Sequence, residues 1–147
     1  MHKPIAVSLL LRLPMLAGLT ENQAQALAEV AEKRTFKNGE RVVMAGVPSG
    51  NMFLILSGRA DVELRGDKDK AISIASLVAG DCIGEMSVLD QQPHCADVVA
   101  DGPLDALVLN PQQFMAVLQE NPQIAVGLLK AMSRHMVRAN RQIVWLS

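Results

Sequence analysis

Between Thr35 and Asn110 the chain keeps changing direction: short runs with apolar side chains at every second position are cut repeatedly by Gly, Pro, Asn and Asp. Successive side chains of a strand point to opposite faces, so this alternation marks half-buried strands rather than long helices. Residues 41–44 read as a strand, and Gly46-Val47-Pro48-Ser49-Gly50 turns the chain. Residues 51–57 are mostly apolar and are broken by Gly58. Residues 59–65 alternate cleanly, with Ala60, Val62 and Leu64 on one face and Asp61 and Glu63 on the other. Gly66-Asp67-Lys68-Asp69-Lys70 is a charged hairpin tip, and a return strand lies near residues 72–77. Residues 96–100 and 104–109 read as a last hairpin across Asp101-Gly102-Pro103. Many short strands with frequent turns imply a sandwich, jelly roll or barrel.

Helical signals flank this region. Residues 5–13 read as a short amphipathic helix ended near Pro14, and Thr20-Glu21-Asn22-Gln23 is a capping box. That box opens a helix to about Arg34, with Ala24, Leu27, Ala28 and Ala31 on one face. Asn110-Pro111 and Asn121-Pro122 each supply an N-cap followed by proline at the first helical position. The first of these helices ends near Glu120, and the second runs from Pro122 toward Trp145.

The expected fold is mainly β with flanking helices (α+β). It is an eight-stranded antiparallel jelly roll or β roll with an N-terminal helix and two C-terminal helices. It forms one domain over residues 1–147, with a helical part at 5–34, the roll at 35–110 and the C-terminal helices at 111–147. An apolar fraction of 50% over 147 residues is enough for a core. With 3% aromatics and no tyrosine, that core rests on aliphatic residues and the 8 methionines.

A formal net charge of −1 argues against binding nucleic acid through the overall field. Two cysteines, Cys82 and Cys95, are too few for a secreted disulfide framework. The apolar run behind His2 and Lys3 is interrupted by Arg12 and Pro14 without an A-x-A-like site, so no signal peptide is expected. No run approaches the ~18 residues of a membrane helix. A cytoplasmic protein with no membrane partner is expected.

Gly80-Asp81-Cys82-Ile83-Gly84-Glu85-Met86-Ser87-Val88-Leu89, followed by Pro93-His94-Cys95-Ala96, carries the chemistry. It reads as a strand ending in a glycine turn, then a short helical turn with a carboxylate at its start. Such a turn aims several N–H groups at one point, which suits a phosphate. The stretch resembles the phosphate-binding cassette of cyclic nucleotide-binding domains, roughly G-E-[LM]-[AS] and, some ten residues later, P-R-[AST]-A. Leu13-Pro14-Met15-Leu16-Ala17-Gly18-Leu19, Phe36-Lys37-Asn38-Gly39-Glu40 and Phe53-Leu54-Ile55-Leu56-Ser57-Gly58 also resemble that family, in its order. The resemblance spans roughly residues 9–143.

The resemblance implies a regulatory, non-enzymatic domain that binds a cyclic nucleotide, cAMP ahead of cGMP. Backbone amides from Glu85 to Ser87, with Met86 between, would hold the phosphate, and Glu85 would take the ribose 2′-hydroxyl. Val62, Leu64 and Ile83 would line the sugar and base, and Gly84 would be a further ligand-binding position. One position departs from the pattern: His94 stands where the family has its phosphate-clamping arginine. Arginine is always charged and offers a rigid fork, whereas histidine, with a reference pKa near ~6.5, is largely neutral at pH 7. Losing one partner of a desolvated charge pair costs ~2–5 kcal/mol, or ~30-fold to several thousand-fold in affinity. His94 is either a weak phosphate contact or a loop histidine without a task.

Cys95 occupies a position associated with guanine contact in the family when it is Ser or Thr, and a thiol is a weak donor, so cGMP gains no support. Asp97 points either toward the pocket or away from it. Cys82, His94 and Cys95 lack a fourth ligand and a zinc spacing, so no metal and no cofactor beyond the nucleotide is expected.

Leu128, Leu129, Met132, Met136, Ala139, Ile143 and Leu146 form a stripe with coiled-coil-like spacing on the last helix. In catabolite activator-like members the equivalent helix is the dimer seam, and Asn140 lies near the position that reaches the adenine edge. The resemblance thus implies a homodimer and an effector, either a further domain or another protein. Lys130, Arg134, Arg138 and Arg141 read as a solvated basic stripe. Two alternatives stand beside the leading one: a degenerate roll acting as a dimerisation or interaction module, and a thiol-based redox sensor.

Overall fold

The computed structural model describes residues 7–13, 16, 18–47, 51–65, 71–84, 96–127, 129–130 and 133. Among them the chain forms α1 (Val7–Leu11) and α2 (Glu21–Val30), then β1 (Glu32–Phe36), β2 (Arg41–Val43), β3 (Met52–Ser57) and β4 (Arg59–Arg65). Next come β5 (Ala71–Val78), β6 (Cys82–Ile83), β7 (Asp97–Ala100), β8 (Leu104–Leu109) and α3 (Pro111–Glu120). Residues 122–127 are helical again. The strands make two four-stranded sheets, β1-β8-β3-β6 and β2-β7-β4-β5, with every pairing antiparallel. This is the expected mainly β roll with flanking helices.

The first sheet is covered on both faces, which explains the continuous apolar runs of β3 and β8. Met52, Leu54, Leu56, Cys82, Leu107 and Leu109 pack against α1, α2, Phe114 of α3 and Ile124. Phe53, Ile55, Ile83, Ala106 and Val108 face the other way and meet Ala60, Leu77, Val98 and Ala100 of the second sheet. Phe36 and Phe53 meet edge to face at 6.0 Å between centroids, and the Arg34 guanidinium lies 5.9 Å from the Phe53 ring.

Both N-terminal caps form as their sequences predict. The Gln23 N–H donates to Thr20 Oγ1 at 3.2 Å and the Thr20 N–H to Gln23 Oε1 at 3.0 Å. The Gln113 N–H donates to Asn110 Oδ1 at 2.8 Å, and the Asn110 N–H donates back to Gln113 Oε1. Asn121 behaves differently from the expected N-cap. Its Nδ2 turns back to donate to the Val117 carbonyl at 3.0 Å, so the side chain closes α3. Only its backbone carbonyl serves the following turn, accepting from the Ile124 N–H.

Two further expectations change. The second helix stops at Val30, and residues 32–34, read as its continuation, belong to strand β1 (Glu32–Phe36) along the edge of the first sheet. Strand pairing with β8 outweighs the helix-compatible character of Glu32-Lys33-Arg34. β7 and β8 are not a hairpin: β7 lies in the second sheet and β8 in the first, so Asp101-Gly102-Pro103 carries the chain between sheets. Gly58 does the same from β3 to β4. It has φ +91, and a Cβ there would run into the Pro103 carbonyl and lie 3.0 Å from Leu104 Cα, so the two crossovers pack on each other. The β4–β5 pair is a hairpin, as expected, with a register shift between Val62 and Glu63.

No helix among the described residues is long and apolar enough to cross a membrane.

Candidate functional site

The chain enters the glycine turn along a fixed line. Before β6, the Asp81 N–H donates to the Val78 carbonyl at 2.9 Å, and the Val78 N–H donates to Asp81 Oδ2 at 2.9 Å. The Gly80 N–H then donates to the Ile55 carbonyl, and the Ile55 N–H to the Asp81 carbonyl at 3.0 Å. Asp81, 3% exposed, is thus built into the turn. β6 follows, with Cys82 opposite Leu54 and Ile83 opposite Phe53. Cys82 belongs to the helix-side core and Ile83 to the core between the sheets. Gly84 then takes φ 84, a left-handed conformation that glycine adopts without strain.

On the facing sheet, Val62 packs against the cluster that contains Ile83. Ile83 and Val62 therefore both border the core between the sheets, and the glycine turn follows Ile83 directly in the chain. Leu64 stands outside that cluster at 42% exposed, opposite Ile72 at 58%. Two open apolar side chains thus extend the face that Val62 begins.

Ile72 was not singled out from the sequence. The register shift explains why: along β5 the positions opposite Ala60, Val62 and Leu64 are Leu77, Ala75 and Ile72, spaced by two and then by three. The signal was the spacing of Ser76 and Ser73, which lie opposite Asp61 and Glu63.

The chain returns at Ala96, buried, and Asp97. The register puts Val98 opposite Val62 and Asp97 opposite Glu63, so Asp97 belongs to the face away from Val62 and Leu64. Its Oδ1 accepts the Ala45 N–H at 2.7 Å. Glu85, Met86, Ser87, His94, Cys95 and Asn140 lie outside the described residues, as do Leu128 and the helical stripe from Met132 onward. Leu129 is 64% exposed. No group of three or more His, Cys, Asp or Glu that could hold a metal occurs among the described residues.

Two antiparallel sheets packed face to face, with helices covering the outer face of the first, form a β roll. Residues 33–121 match the family model described as the cyclic nucleotide-binding domain, and the chain belongs to that family. A cyclic nucleotide-binding domain from Methylobacillus flagellatus superposes with a TM-score of 0.84 at 21% identity, over 100% of this chain and 89% of that one. The regulatory subunit of a cAMP-independent protein kinase A from Trypanosoma cruzi, bound to guanosine, gives 0.76 at 27% identity, over 95% of this chain and 48% of that one. Glutaminase 2 of Bradyrhizobium diazoefficiens is 31% identical over 137 residues, 90% of this chain and 21% of the relative. The chain spans about a fifth of the length of the curated relatives it matches.

Proposed function

We propose that this chain is a non-catalytic regulatory domain that takes a cyclic nucleotide, cAMP ahead of cGMP, between its sheets. The observation that carries this is that Ile83, buried in the core between the sheets, runs straight into the left-handed Gly84 while Val62 packs against that same core, in a chain matching the family model. Leu64 and Ile72 extend the apolar wall for base and sugar. In this reading the Glu85 to Ser87 amides and His94 meet the phosphate, Glu85 takes the ribose hydroxyl, and Cys95 sits alongside. Asn140 reaches the base edge from the last helix. Ligand binding shifts that helix between two states, and a partner reads the shift. The partner is a second copy on the helical seam or an effector, for which a catalytic domain such as the remainder of Glutaminase 2 is one model.

His94 gives the proposal a direction in pH. The bound phosphate favours the imidazolium and raises its pKa in the complex. Affinity is therefore highest below the free histidine pKa and falls as pH rises through the pKa of the complex. Isothermal titration with cAMP should give tighter binding at pH 6 than at pH 8. Equal affinities would remove His94 from the phosphate.

A second reading has its own support. A site without the arginine fork suits a ligand without a phosphate, and the T. cruzi neighbour is bound to guanosine. Guanosine or adenosine binding more tightly than cAMP, with no pH dependence, would establish this reading in place of the first. No heat with any of them, together with a dimer by light scattering, would leave the domain as an interaction module.

A further inference from the structure

We propose that Asp97 is a positioning residue for the ligand site: by gripping the turn after β2, it sets the direction in which the chain leaves residues 85–95. The inference rests on the reading under Proposed function. Asp97 is 4% exposed and stands directly opposite Glu63 on β4. Like charges across a strand pair are unfavourable, and a buried carboxylate is costly unless hydrogen-bonded. One bond it makes reaches 52 residues back along the chain, to the Ala45 N–H at 2.7 Å, within the short range of charge-assisted contacts.

The place of that bond matters. The β2–β7 ladder shifts register between Arg41 and Val43, with Val43 opposite Val98. The chain then turns over residues 44–47, closed by the Val47 N–H on the Met44 carbonyl. The turn is fastened to β7 by Asp97 at the point where the register gives out. One residue on, Val98 is buried in the core between the sheets with Ile83, and Val62 packs against the same core. β7 is therefore anchored on both faces at its first step, by a polar bond outside and an apolar contact inside. The entry side has a matching device, since Asp81 grips the Val78 N–H three residues before Gly84. Two buried aspartates bracket the segment, and Asp97 lies on the face away from Val62 and Leu64.

The test compares the full chain with Asp97→Asn, which keeps an acceptor oxygen, and Asp97→Val, which removes it. Amide exchange is followed by mass spectrometry over residues 84–96 and, as a control, 52–57, and cAMP is titrated by calorimetry. Asp97→Val should exchange at least tenfold faster over 84–96 with 52–57 unchanged, and should bind cAMP at least tenfold more weakly. Asp97→Asn should match the wild type in both. Ala45→Pro deletes the donor at the second position of its turn, where proline is favoured, and should reproduce Asp97→Val even if that variant fails to fold. Unchanged exchange over 84–96 in Asp97→Val or Ala45→Pro, or Asp97→Asn behaving like Asp97→Val, overturns the proposal. If the wild type takes up no nucleotide or nucleoside, the functional reading falls while the exchange arm still decides the role of Asp97.

Discussion

Gly58 has little freedom to change. It combines positive φ with backbone atoms of Pro103 and Leu104 in the space a side chain would need. Left-handed strain and forced repacking are each worth about 1–3 kcal/mol. Gly58→Ala should therefore lower stability by about 3 kcal/mol, read as a lower urea midpoint with an unchanged slope. His94 is the opposite case, a residue whose replacement should improve the site. His94→Arg restores a permanent charge and a two-pronged donor, and cAMP affinity should rise at least tenfold by calorimetry, with the pH dependence abolished. Unaltered affinity would show that His94 is remote from the phosphate. The strand end at Ile83, the turn at Gly84 and the strand face of Val62 could be read from the sequence because each follows a local pattern. Asp97 could not, since its role depends on the amide of Ala45, far away in sequence.

At the level of elements, the two capping boxes are the clearest local determinants. Asn110→Ala should cost about 1 kcal/mol, visible as a modest fall in thermal midpoint with cAMP binding unchanged. The same local logic misreads connections. Asp101-Gly102-Pro103 has the composition of a hairpin turn, but a corner between sheets needs the same residue types. The bonds that distinguish them are distant: the Asp101 N–H to the Arg59 carbonyl, and the Gly102 N–H to Asn38 Oδ1. β1 escaped for a related reason. It is an edge strand with four exposed residues before Phe36, so neither face shows the alternation that marks a half-buried strand.

For the whole molecule, the decisive arrangement is the sheet shared by two cores. Leu54 and Ile55 are neighbours on β3, yet Leu54 supports the helical layer and Ile55 the facing sheet. Leu54→Ala and Ile55→Ala should each cost about 2–5 kcal/mol, and in each variant helical and β-sheet signals should be lost in one coincident transition. Separate transitions would mean that the layers are independent.

The register shift in the β4–β5 hairpin has a consequence beyond the face of Val62 and Leu64. Among the described residues, β5 has a sheet neighbour on one side only, and it is eight residues long with Ile72 and Val78 exposed. Long apolar margins of this kind recruit further molecules into ladders. The extra residue interrupts the regular repeat of donors and acceptors that an incoming strand would have to match. The irregularity that sets Ile72 opposite Leu64 thus also guards concentrated solutions of the protein against polymerising along that margin.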